Sequence, residues 1–157
     1  MLRTTIAATL LLAAPAAHAA EPTAQTALTR FCEPLIAGSS AAAVKQAARA
    51  EGFADQVVAG QPVMQHGTLL VGISDAPRVC FVQAPAGMTM AQGFALVDSW
   101  GKGRPGAVRA PATKGPDGSP VRAWTDPVRK AALLTSPQTA AGGRKVMAFI
   151  LMPLPKK

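Results

Sequence analysis

The chain has 157 residues, with 16 lysines and arginines against 8 aspartates and glutamates, for a formal net charge of +8. With five Phe, two Trp, no Tyr and no Asn, it has no N-glycosylation sequon, and it is too short for two well-filled domains. Richness in Ala, Gly, Pro and Arg without Asn is the composition of a high-GC bacterial genome.

Arg3, an apolar run from Ile6 to Ala14 and the small-x-small pattern Ala17-His18-Ala19 predict a cleaved signal peptide over residues 1–19, or 1–20. The apolar run is too short for a membrane-anchoring helix, and no Cys near the cleavage point offers a site for lipid. The expected address is the periplasm or the medium, with residues 20–157 forming a single small domain.

Leu28, Phe31, Cys32 and Leu35 share one helical face, which predicts a helix over 24–36 with Thr23 as its N-cap. Pro34 should end the regular part near Cys32. A second helix is expected over 40–51, closed by Gly52 in a left-handed cap and followed by the apolar Phe53. Strands are expected at 57–65, 68–73 and 78–84, the last two joined as a hairpin through Ser74-Asp75-Ala76-Pro77. Cys32 and Cys80 form an even pair in an exported chain, outside any C-x-x-C motif, so a structural disulfide is favoured over a redox-active pair.

Thr89 and Gln92 have capping-box spacing, which starts a third helix at Met90; it should run to about Trp100 and stop at Gly101. Residues 101–122 follow as a basic loop with five glycines, four prolines and five cations, unable to build a core of its own. Strands close the chain at 121–126, 130–135 and 145–151, the last apolar enough for burial on both faces. The expected fold is therefore α+β: a single antiparallel sheet of about five strands, two N-terminal helices and one central helix packed on it, and one disulfide.

Charge is uneven along the chain. Residues 20–100 carry a balance of −2, and residues 101–157 a balance of +9. The basic half either meets an anionic partner or keeps the chain soluble. Ser99-Trp100-Gly101-Lys102 fits S-x-x-K, but S-D-N and K-T-G are absent and Gly101 is expected to end the helix. The glycines of 101–106 do not make a phosphate loop, though they allow looser anion binding. His66, alone after the signal segment, reads as an exposed turn residue, and no metal ligand set or cofactor motif accompanies it. Trp124 among basic residues either stacks on a ligand or fills the core.

These features predict an exported binding module without catalytic activity or cofactor. Its basic half would contact an anionic envelope component (lipopolysaccharide, phospholipid headgroups or an acidic protein) through Lys102, Arg104, Arg109, Lys114 and Arg122. One alternative is an accessory protein that binds another protein through an apolar surface. Another is an enzyme whose pocket unites His66, Asp98 and Ser99.

Overall fold

The computed structural model describes residues 21–155; the signal peptide expected over 1–19 lies outside them. Thr23 caps the first helix, α1 (24–37), by accepting a hydrogen bond from Thr26 N. The helix does not end at Pro34. Its middle, Leu28–Cys32, is a π-helical turn in which the Glu33 amide reaches back to the Leu28 carbonyl, and Pro34 opens the final piece, Glu33–Ala37. The wider turn relieves the clash a proline ring makes with the carbonyl four residues back, so the chain stays helical.

The second helix, α2 (Ala41–Ala50), is capped by Ser40, and Gly52 turns the chain at φ +86° so that buried Phe53 donates its amide to Ala48. The third, α3 (Met90–Lys102), starts with a complete capping box between Thr89 and Gln92. It continues past the expected stop at Gly101 to a cap at Gly103. Gly101 is retained for a different reason: it is buried against the Trp124 ring, which leaves no room for a side chain.

The sheet has nine strands rather than about five. In chain order they are β1 (Ala54–Val58), β2 (Gln61–His66), β3 (Leu69–Asp75), β4 (Arg78–Gln83), β5 (Val108–Arg109), β6 (Thr113–Lys114), β7 (Pro120–Asp126), β8 (Ala131–Thr139) and β9 (Lys145–Pro153). Two differences add strands and a third lengthens one. The weak strand expected at 57–65 is a hairpin, because Ala59 and Gly60 both take positive φ and fold β1 onto β2. The expected loop 101–122 contributes β5 and β6, which both pair with β7. Finally, β8 runs on through Pro137, where β7 no longer pairs with it and a missing amide costs no ladder bond on that edge.

The strand order is β1-β2-β3-β4-β9-β8-β7-β5, every pairing described is antiparallel, and β6 lies beside β7. Two meanders are thus joined at the centre by β4 and β9, through Cys80↔Leu151 to Gln83↔Ala148. The core lies between one face of this sheet and the helices: Phe31, Leu35 and Val97 meet Val71, Val82 and Phe149. The Cys32–Cys80 disulfide ties α1 to β4, with Cα atoms 5.2 Å apart. Phe31 meets Phe53 edge-on at 5.2 Å, and His66, expected exposed in a turn, is half-buried against Phe53 at 5.4 Å. No helix among the described residues is long and apolar enough to cross a membrane.

Candidate functional site

The five cations expected to bind an anion fall in different settings. Arg122 projects from β7 on the helix side, pairs with Asp98 of α3 and lies over the Phe94 ring at 4.7 Å. Arg104, just past α3, pairs with Glu33, donates to the Trp100 carbonyl at 2.7 Å and stacks on the Trp100 ring at 4.1 Å. Two of the five are therefore spent on the protein's own acceptors. Arg109 is half-exposed, 3.9 Å from Asp98, while Lys102 and Lys114 face solvent. Lys102, Arg109 and Arg122 are thus gathered near Asp98, whereas Lys114 stands apart on β6. The glycine-rich turn after α3 offers few free donors, because the amides of Gly103, Arg104 and Ala107 bond to carbonyls within the turn.

Where α1, α3 and the end of β9 meet there is a cleft of about 520 Å³, lined by Glu33, Pro34, Trp100, Arg104, Arg129 and Leu151, among others. Its polar groups satisfy one another. Glu33 accepts from both Arg104 and Trp100 Nε1, the latter at 3.1 Å. Arg129 pairs with the fully buried Asp126 at 3.0 Å. Burial pushes the Asp126 carboxyl up, but the Arg129 amide and guanidinium and the Val128 amide outweigh it and hold the group below the ordinary carboxylate value. Arg104 Nε, 3.9 Å from Asp126, is the one buried side-chain polar atom among the described residues without a hydrogen-bond partner. The cleft is an ion-pair network that locks the end of α3 onto α1 and the β7–β8 turn.

The residues an enzyme would need together are apart. Asp98 accepts from Arg122 and from Trp124 Nε1, the latter at 2.9 Å. Ser99 is exposed on α3, which packs on β7 and β8, whereas His66 ends β2, with β3, β4 and β9 between. Ser99 and Lys102 do share an unbroken helix, so Gly101 is not the obstacle to the S-x-x-K reading. Asp75 accepts the Ala41 amide at 2.9 Å and so helps to cap α2. Trp124 packs on Gly101 on the helix side. No group of three or more His, Cys, Asp or Glu side chains among the described residues is placed to hold a metal ion.

The opposite face of the sheet is unlike either region. Side chains alternate faces along a strand, so the cross-strand register assigns each to a side. Asp55 lies opposite core Met64, Arg78 opposite Asp75, Arg122 opposite buried Thr135, and Asp126 opposite Ala131. Arg109, Lys114 and Lys145 fall on the same side by the same alternation. Every charged side chain on the strands is thus on the helix side. The outer face carries the partly buried Val79, Phe81, Leu134, Ile150 and Met152, with glutamines and small polar residues beside them. Among the described residues the helices pack against the core on the other side, and only Ala41 and Lys45 of α2 reach the margin of this face.

That face is not flat. β2 pairs with β3 only from Met64↔Val71 to His66↔Leu69, so residues 61–63 leave β3 while still paired with β1. Beside this departure lies a cavity of about 630 Å³, lined by Val63, Leu70, Gly72, Val79 and Phe81 among others. A second cavity, of about 210 Å³, shares Val58, Leu70 and Gln83 with the first and ends at Ala140, Arg144 and Val146. Neither was anticipated. The signal available in the sequence was parity: the strand charges keep step with the most apolar, buried positions. Comparison with protein-family models, with curated proteins and with solved structures finds no match to this chain.

Proposed function

We propose that the protein is an exported, non-catalytic binding module that receives an apolar partner on the uncharged face of its sheet. One observation carries this reading: the register turns every strand charge toward the helices and leaves partly buried aliphatic and aromatic side chains, uncovered by any helix among the described residues, on the other side. An antiparallel sheet with one solvated face ordinarily presents polar residues there, and an uncovered apolar area with a polar margin marks a contact surface. Completing the burial of Phe81, Leu134, Ile150 and Met152, each already largely buried, contributes at most about a third of 1.5–3 kcal/mol each, about 2–4 kcal/mol together. A micromolar complex requires about 8 kcal/mol. The partner must therefore cover more than this central patch or enter the adjoining hollow.

The second reading, contact with lipopolysaccharide, phospholipid headgroups or an acidic protein, is favoured by solvent-facing Lys102, Arg109 and Lys114. It is weakened by the commitment of Arg104 and Arg122 to Glu33 and Asp98. Titration with Nile red, a neutral apolar probe, separates the two. Binding is expected to be unchanged by salt and by Lys102→Gln, Arg109→Gln and Lys114→Gln together, and abolished by Ile150→Lys in a protein that still melts cooperatively. The reading is overturned by no Nile red binding, or by binding that survives Ile150→Lys.

A further inference from the structure

The two cavities adjoin through Val58, Leu70 and Gln83, which line both, and the larger one also reaches Ala41 and Lys45 of α2 and the Ile73 and Asp75 side chains. Val58 belongs to the β1–β2 hairpin, whose departure from β3 makes the near wall; Phe81 lies across from Gly72, and β3 and β4 make the floor. The larger cavity alone falls in the size range of small-molecule sites, mostly apolar with a few polar groups. Its polar lining includes the uncharged Gln61, Gln83 and Ser74. An elongated apolar hollow suits a flexible chain of methylenes better than a compact ring system.

Charge is confined to the ends. Arg144 is the one charged side chain lining the smaller cavity; it is exposed and makes no ion pair among the described residues. At the other end Lys45 stands in the same cavity as the Asp75 carboxylate, which repels an anion. A ligand with one anionic head is therefore oriented with that head at Arg144 and its apolar body running beneath Val58 toward Phe81.

Resting on the apolar-face reading above, we propose that this hollow binds a single-chain fatty carboxylate, with the acyl chain on the β3–β4 floor and the carboxylate at Arg144. The test is displacement of Nile red from the full chain, disulfide intact, by decanoic, dodecanoic and tetradecanoic acids and by their methyl esters. Acids are expected to displace the probe one for one, tightening about fourfold per added methylene as buried chain length dictates. Arg144→Gln should weaken the acids about threefold and leave the esters unchanged. Gln83→Glu, at a half-exposed position lining both cavities, should abolish both without lowering the melting temperature.

Bound Nile red that no fatty acid displaces overturns the fatty-carboxylate assignment and leaves the apolar-face reading standing. Absence of Nile red binding overturns both. Displacement independent of chain length, or an equal loss of acid and ester in Arg144→Gln, overturns the proposed orientation. So does a dimer in sedimentation that persists in saturating acid, since a second copy would then occupy the face.

Discussion

A Cβ added to Gly101 would stand 2.0 Å from Cδ2 of Trp124, a rigid ring held by its own hydrogen bond to Asp98. The helix cannot yield without loosening the Glu33–Arg104–Trp100 contacts one turn along. Gly101→Ala, harmless on an exposed helix, is therefore expected to destabilise the protein by about 1–3 kcal/mol, read from the urea midpoint. The same substitution at Gly93 meets the flexible end of Met147 at 2.6 Å and should cost less. Asp126 has a pH consequence. Its folded-state pKa lies below the unfolded value, so its contribution to stability is complete above about pH 4 and is lost as pH falls through the folded value. Acid unfolding should therefore be shallower in Asp126→Asn than in the parent protein, at the cost of lower stability at neutral pH. Equal acid limbs would show that the Arg129 contact has no part in it. Asp55 and Asp117 are also held low, by Arg49 and Ser119 respectively, but in open solvent, where such contacts contribute little.

Among the elements, those with local signatures are the ones their own residues foretell. Thr23, Ser40 and the Thr89–Gln92 box start the three helices, and the hairpin of β3 and β4 forms around Asp75-Ala76-Pro77-Arg78. Elements that depend on a partner distant in the chain were illegible. β5 and β6 are two residues each and exist because β7 is there to pair with them. The continuation of α1 through Pro34 depends on a π-turn, which has no signature beside a proline that ordinarily ends a helix. The uncharged face was legible only in principle: parity within one strand is plain, but eight registers must be known before the rows align. The disulfide was inferred from compartment and parity of count, and it acts at this scale by fixing α1 to β4. Replacing both Cys32 and Cys80 with Ala should cost about 2–5 kcal/mol, measured as a fall in melting temperature matched by reduction of the parent. An unchanged melting temperature would mean that α1 is held by its apolar contacts alone.

At the scale of the whole molecule, charge and apolar surface are separated by the plane of the sheet. One side holds the helices, the ion pairs at Glu33, Asp98 and Asp126 and the outward lysines. The other holds a hollow lined mainly by uncharged side chains, with Arg144 in its smaller part and Lys45 and Asp75 in its larger. Uneven charge along the chain, the most visible property of the sequence, divides the molecule by residue number, whereas the fold divides it by face. The basic C-terminal strands contribute to both sides, β8 and β9 giving Leu134 and Ile150 to the outer face while β7 turns Arg122 inward. Linear charge balance was for that reason a poor guide to where a partner sits.

The junction of β4 with β9 sets a timetable for synthesis. β4 ends at Gln83, yet its neighbour on the open edge is completed only at Pro153, after α3 and the four strands β5 to β8. A nascent chain can form the first meander and its hairpins, but the core stays roofless, with the edge of β4 unpaired, until β9 has been made. Closure of the sheet thus waits on β9, a delay that strand order alone imposes.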